Sequence, residues 1–280
     1  MERIIDGKEI ARTMSEEHKE KLADLRTRNI VPFLSIIIVG EDEWSKKYVE
    51  LKKRKLIELR ANVEITYLDE KVDSKTIIDI IKNMNNDSSV NGILVQLPLP
   101  SKLSEEEIIS TIDPLKDVDC LTETNLQGVK EGNNKYLPAG VQAIIEIFER
   151  KEIDYLGKKI AIGGNTKLLA IPLYDYLKRV NNSVNLERIN VDEFSKLTKE
   201  AEIVVVDFAE PNVVTKETIS NGVIIIDAGN NYHDGRLCGD VDFNGVIDMV
   251  NMITPVPGGL GPVLVSSLLE NLITAIELQK

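Results

Sequence analysis

"PFLSIIIVG", residues 32–40, is a short run rich in apolar and β-branched side chains, closed by a glycine, and it reads as a strand. Its neighbours decide what kind of sheet it joins. "SKKYVELKKRKLIELRA" (45–61) follows with helical spacing, "NVEITYLDE" (62–70) reads as a strand, "SKTIIDIIKNMNN" (74–86) as a helix, and "VNGILVQLPLP" (90–100) as a strand. A second set comes later: "KKIAIGG" (158–164), "SVNLERIN" (183–190), "AEIVVVDFA" (201–209) and "GVIIIDAG" (222–229), with helices such as 168–180 between. Strand–helix alternation implies parallel sheets with helices on both faces. Two successive sets predict two α/β domains, meeting near the helix "GVQAIIEIFERKEI" (140–153). In open α/β sheets ligands sit beyond the carboxyl ends of the strands, so strand-exit loops and a cleft between the domains are the places to look.

A chain of 280 residues suits one large or two ordinary domains. Its net charge of -12 argues against nucleic acid or an anionic membrane as partner. "MERIIDGKEIART" has no apolar core of a secretory signal, and no apolar run reads as a membrane span. Cys120 and Cys238 lie far apart without CxxC spacing, so neither a disulfide framework nor a zinc site is expected, and no metal is assigned. The expected compartment is the cytoplasm.

Four stretches could carry chemistry. "WSKKYVELKKRK" (44–55) packs six cations into twelve positions of an acidic chain. Tyr48 and Lys52, spaced i and i+4, share a helix face. The ring can stack on a flat heterocycle, and neighbouring Lys53, Arg54 and Lys55, together with burial, would lower the pKa of Lys52 and suit it to acid–base work. An ordinary solvated helix face accounts for the same residues taken alone. Gln96 stands where the strand in "GILVQLPLP" should end, and a neutral amide there can orient a lysine without competing for its proton. In "DPLKDVDCLTETN" (113–125), Asp117 and Asp119 stand two apart, so in extended chain they point to opposite faces. A carboxylate can accept two hydrogen bonds from an amidine-like edge; turn capping is the other use of such aspartates. Last, "ITPVPGGLGPVLVSSLLENLI" (253–273) sets a Gly- and Pro-rich loop at a helix start, where backbone can approach a ligand closely.

Together "IIDGKEIA" (4–11), "SKKYVELK", "GILVQLPLP", "DVD", "GRLCGDVDF" (235–243) and "TPVPGGLGP" occur in the order seen in the methylenetetrahydrofolate dehydrogenase/cyclohydrolases, which the chain resembles over essentially its whole length. The resemblance implies a catalytic N-terminal domain, residues 1–139 joined by a returning helix 262–280, and a Rossmann-like cofactor domain, 140–261. It implies that Tyr48 stacks on the folate, Lys52 is the central acid–base group, Gln96 tunes it and Asp119 holds the pterin. Leu97, Pro98, Pro257, Gly258 and Gly259 are the further substrate-binding positions it implies, and Gly164, Asn165, Thr166, Arg188, Ala209 and Asn231 the cofactor-binding ones. The implied activity is NADP-dependent oxidation of methylenetetrahydrofolate followed by hydrolysis of the methenyl compound to formyltetrahydrofolate, by a homodimer serving one-carbon metabolism and purine biosynthesis.

The cofactor domain departs from the family pattern. "GNTKLLAIP" (164–172) has Asn165, Thr166 and Ala170 where the family carries arginine, serine and glycine. "LERIN" (186–190) replaces C-H-S-x-T, and "DFAEP" (207–211) places Ala209 where glycine is usual. Glu187, Asp207 and Glu210 add negative charge near a phosphate-bearing ligand if they face it, whereas Arg188 or Lys167 could meet a 2′-phosphate. NADP use, an NAD preference and loss of hydride transfer all remain open. "YLPAG" (136–140) also lacks the small polar residue of the family's P-C-T-P-x-G. A non-catalytic folate-binding protein is the competing class; it would need the stacking ring and the pterin anchor, but not a lysine–glutamine pair.

Overall fold

The protein is described from a computed structural model covering residues 3–233 and 236–280, with the side chains of Trp44 and His233 left out. Gly235, the first residue of "GRLCGDVDF", and the side chain of Trp44 in the basic stretch therefore lie outside the described residues.

In chain order the first elements are α1 (Gly7–Thr27), β1 (Phe33–Val39), α2 (Glu43–Glu58), β2 (Asn62–Leu68), α3 (Ser74–Asn86), β3 (Gly92–Val95), α4 (Glu105–Ile109) and α5 (Glu123–Glu131). Asp42 starts α2 by accepting the Ser45 N–H at 2.6 Å, and Asp73 starts α3 by accepting the Thr76 N–H at 2.8 Å. β1 lies between β2 and β3, and both pairings are parallel. Four consecutive buried residues in β3 and six in β1 explain the unbroken apolar runs, because no residue there faces water. Lys116 closes the C-terminus of α3, its ammonium donating to the carbonyls of Met84, Asn85 and Asp87 at 2.7–3.0 Å.

The second set is α6 (Ala139–Arg150), β4 (Ile160–Gly164), α7 (Ala170–Val180), β5 (Val184–Glu187), α8 (Val191–Thr198), β6 (Ile203–Asp207), β7 (Ile224–Asp227), β8 (Asn231–His233), β9 (Arg236–Cys238), α9 (Phe243–Val246), β10 (Met252–Ile253) and α10 (Leu260–Leu278). β8 and β9 form an antiparallel hairpin, and the other strands make a parallel sheet in the order β10-β7-β6-β4-β5. The chain goes from β4 to β5 on one side, then crosses to β6 on the other. The switch point of this doubly wound sheet is therefore the crevice at the carboxyl ends of β4 and β6.

The chain groups into two compact units whose borders differ from the sequence expectation. Residues 3–13 and 128–133 belong with the second sheet, as does the start of α10 up to Ser267, while Leu268–Lys280 belongs with the first. Backbone pairing explains the first difference. Ile5 N–H donates to Ile253 O at 2.8 Å, and Ile253 N–H donates to Arg3 O at 2.8 Å, extending the second sheet with the N-terminal segment. Gly7 N–H then donates to Gly258 O at 3.0 Å, and a Cβ on Gly7 would stand 1.7 Å from Gly259 O. Only glycine lets the two backbones approach this closely.

α10 corrects the reading that no segment is apolar enough to span a membrane: its mean hydropathy reaches 1.3 over a sufficient length. However, 67% of that window is buried within the protein. Asn271 explains how its second half is held: its amide donates to Val118 O at 2.9 Å and Leu137 O at 2.8 Å. Gln279 does the same for Asn91 O at 2.8 Å and Leu115 O at 3.0 Å.

Candidate active site

The sequence residues Tyr48, Lys52, Gln96 and Asp119 come together within the first unit. α2 brings Tyr48 and Lys52 to one face, and the Lys52 ammonium lies 4.8 Å from the centre of the Tyr48 ring. Lys52 is 3% exposed and donates a 3.1 Å hydrogen bond to Gln96 Oε1. Gln96 follows β3 directly, and its own amide donates to Leu97 O at 2.7 Å. This second bond fixes which end of the amide faces the lysine: oxygen toward Lys52, nitrogen toward the chain. Leu97 and Pro98 continue the same exit loop across a cis peptide bond.

Burial lowers the pKa of Lys52, and the charge of Asp119 opposes that shift without reversing it. The lowering does not come from Lys53, Arg54 and Lys55, which corrects the sequence reading. Successive helical residues point away from one another, and the surrounding cations meet acids instead: Lys46 pairs with Glu41, Lys47 with Glu43 at 3.8 Å and Lys55 with Glu58 at 3.7 Å. Burial raises the pKa of Asp119, with Lys52 pulling it down and Asp117 pushing it up. Burial likewise holds the Tyr48 phenol protonated, assisted by the nearby Asp119 charge.

The two aspartates divide their work, and Asp117 takes the turn-capping use that the sequence also allowed. Asp117 makes an isolated parallel bridge with Ile93, and Val118 and Asp119 form the turn that follows. Asp117 is 1% exposed and accepts from Leu121 N–H at 3.1 Å, Thr122 N–H at 2.8 Å and the Asn125 amide at 2.9 Å. It braces the turn and so places Asp119 beside Lys52 and Tyr48, with part of the Asp119 surface open. A ring platform, a lysine poised to lose its proton, an amide that aims it and a carboxyl able to grip an amidine edge form one constellation.

The cofactor candidates collect in the second unit. Gly164 ends β4 with φ +131°, where a Cβ would stand 2.3 Å from Asp207 O. Thr166 begins the turn into α7, its hydroxyl oxygen accepting from the N–H groups of Leu169 and Ala170 at 3.1 Å each. Arg188, beyond the end of β5, donates through Nε to Asn165 Oδ1 at 2.7 Å, so these exposed side chains form a polar, cationic lip at the ends of β4 and β5. Glu187 turns its carboxylate onto the Ile189 and Asn190 N–H groups at 3.1 and 3.0 Å, and that bonding lowers its pKa.

Ala209 stands at φ +58°, in the region glycine prefers, and is held by Asp240. Asp240 accepts from the N–H groups of Phe208 at 2.6 Å, Ala209 at 3.2 Å and Glu210 at 3.0 Å. Asn231 is buried, and its amide donates to Asp240 Oδ1 at 2.7 Å and Gly239 O at 3.0 Å, so that side chain braces the loop. The sequence reading missed the Asp240 scaffold, although "GDVDF" contained its signal. Pro257 is exposed and Gly258 and Gly259 follow it in the second unit, against the start of α1.

The switch-point crevice suits a dinucleotide in its fold, its glycine and its cationic lip. One group disagrees. Asp207, at the end of β6, receives the Thr166 hydroxyl hydrogen bond and brings a carboxyl to the turn where a diphosphate would be cradled.

Residues 5–119 match the family model for the tetrahydrofolate dehydrogenase/cyclohydrolase catalytic domain, and residues 138–280 match that for its NAD(P)-binding domain. The chain is 36% identical over 273 residues to the bifunctional protein FolD of Lactococcus lactis subsp. lactis, covering 97% of this chain and 96% of that protein. It is 34% identical over 273 residues to that of Nautilia profundicola, with coverage of 97% and 96%. Its fold superposes on the methylenetetrahydrofolate dehydrogenase/cyclohydrolase of Campylobacter jejuni with a TM-score of 0.95 at 31% identity, covering 99% of each chain. It also superposes on the Trypanosoma brucei enzyme, solved with NADP and an inhibitor, with a TM-score of 0.94 at 29% identity, covering 99% of this chain and 97% of that one.

Proposed function

The chain belongs to the tetrahydrofolate dehydrogenase/cyclohydrolase family, and from that premise we propose that it oxidises methylenetetrahydrofolate with NADP and hydrolyses the methenyl product to formyltetrahydrofolate. The observation that carries the reading is the buried Lys52–Gln96 hydrogen bond beside Tyr48 and Asp119. A protein that only held folate would need the ring and the carboxyl, but no lysine with a lowered pKa.

Tyr48 offers its face to the pterin, and Asp119 accepts hydrogen bonds from the amidine-like edge. Lys52, its neutral form favoured by burial, takes one proton of the water that adds to the methenyl carbon and returns it to the ring nitrogen whose C–N bond breaks, while the second water proton leaves the adduct's hydroxyl for solvent as the formyl C=O forms. Gln96 keeps the lysine nitrogen aimed throughout, because its oxygen can only accept. When bound, the nicotinamide supplies the hydride acceptor for the oxidation. Gly164, Thr166 and Ala209 would line its diphosphate and ribose, and Arg188 with Asn165 would meet the adenosine end, where a guanidinium favours the 2′-phosphate of NADP. The family resemblance supports a cytoplasmic homodimer as the working form.

The test is to supply methylenetetrahydrofolate with NADP or NAD and follow reduced nicotinamide, and separately to follow hydrolysis of the methenyl compound. The reading expects both reactions, the first faster with NADP. Hydrolysis without hydride transfer under either cofactor would remove the dehydrogenase half, and absence of hydrolysis would remove the role of Lys52.

A further inference from the structure

The carboxyl of Asp207 stands in an unusual place for an acid. It lies on the last residue of β6, in register with Gly164 at the end of β4, on the two strands that flank the switch point. The Thr166 hydroxyl donates to its Oδ2, while the same hydroxyl oxygen takes the Leu169 and Ala170 N–H groups at the start of α7. α7 runs for 11 residues, so its first turn carries the partial positive charge that attracts a phosphate in this fold, but its N–H groups are already taken: those of Leu169 and Ala170 by the Thr166 hydroxyl and that of Ile171 by Thr166 O. Here an internal acid is tied to those donors through one hydroxyl.

Among the described residues no cation pairs with Asp207. The titratable groups facing it are both acids: Asp240 from the loop after β9, and Asp227 at the end of β7. Asp240 is committed to the N–H groups of residues 208–210, and Asp227 to those of Gly229, Asp240 and Val241, so neither can move away. Asp207 nevertheless keeps part of its surface open.

We propose that Asp207, held by Thr166, occupies the phosphate seat of the dinucleotide crevice as a built-in anion, and that the cofactor binds the form in which this carboxyl is neutral. The proposal rests on the reading that the second unit binds a nicotinamide dinucleotide. It makes Asp207 a determinant of cofactor affinity, separate from the choice between NADP and NAD, because the diphosphate is common to both.

Burial, with the Asp240 charge, pushes the Asp207 pKa up to about 7 against the opposing Thr166 hydrogen bond. A dinucleotide diphosphate beside it raises that value further. The sign follows: affinity is full below the pKa of the free protein and falls as pH rises above it, by at most about tenfold per pH unit for one linked proton.

The experiment is calorimetric titration of the whole protein with NADP and with NAD from about pH 6 to about pH 9, in buffers of different ionisation enthalpy, for the native protein, Asp207→Asn and Asp207→Ala. The expected result is proton uptake on binding of both cofactors by the native protein, with affinity falling above about pH 7. Asp207→Asn should show neither effect, and at about pH 9 should bind about tenfold or more tighter than the native protein. Native binding without proton uptake and without pH dependence would overturn the inference and leave the dehydrogenase reading standing; this measurement needs no variant, so misfolding cannot shelter the idea. Variants that keep the native slope would also overturn it. Failure of every form to bind either dinucleotide would overturn both the inference and the dehydrogenase reading.

Discussion

Lys52 donates to Gln96 across 3.1 Å, joining the middle of α2 to the exit of β3, 44 residues apart in the chain. The bond has a fixed sense, because Gln96 spends its N–H on Leu97 O. Replacing Gln96 with Glu keeps the shape and introduces a negative charge beside the ammonium. That charge favours protonated Lys52 and raises its pKa from the lowered position burial gives it. The lysine must be neutral to accept a proton, so the rising limb of the hydrolysis–pH profile should move to higher pH by about one to two units. A profile that stays in place while only its height changes would detach Lys52 from that limb.

The adenosine end of the crevice gives a prediction of a different kind. Arg188 is exposed and bonded to Asn165. Arg188→Ala should weaken NADP about tenfold and leave NAD nearly unchanged, since a charge-assisted bond to the 2′-phosphate has no counterpart in NAD. Equal losses for both cofactors, measured by equilibrium titration, would move Arg188 away from the 2′-phosphate.

How far the chain could be read in advance varies by residue. β1, α3 and β4 were legible because each carries one uninterrupted signal, an apolar run or helical spacing. Tyr48 and Lys52 were legible as a pair because i and i+4 spacing is local. The environment of Lys52 was not. The sequence shows three cations beside it, but they diverge around the helix, and the groups that matter, Gln96 and Asp119, are distant in sequence. Asp117 was half legible: turn capping was one of the two uses its sequence allowed, and only the bonds from Thr122 and Asn125 show that it, rather than Asp119, takes that use. Residues 3–13 joined the second sheet through backbone bonds to Ile253, which no side-chain pattern announces.

Asn271 ties α10 to the catalytic turn. Asn271→Leu fits an apolar helix by composition, but leaves the carbonyls of Val118 and Leu137 buried without their donor. Each such loss costs about 1–3 kcal/mol. Urea unfolding should therefore show a loss of about 2–6 kcal/mol, with hydrolysis weakened because Val118 precedes Asp119. An unchanged midpoint would mean that these carbonyls find other donors.

Asp240 has the same standing in the second unit. Asp240→Ala strands three backbone N–H groups and removes one of the two hydrogen bonds of the Asn231 amide. A loss of about 3 kcal/mol or more in urea unfolding is expected. Cofactor affinity should fall with it, because the N–H of Ala209, at φ +58°, donates to this carboxylate.

The central claim is that Lys52 moves the proton while Tyr48 and Asp119 hold the folate. Its most direct test is the rate of methenyltetrahydrofolate hydrolysis by Lys52→Met at saturating substrate, with folate affinity measured on the same preparation. The account predicts a fall of about a hundredfold to ten-thousandfold in rate, with folate binding changed little. Hydrolysis at the native rate by a variant that still binds folate would contradict it.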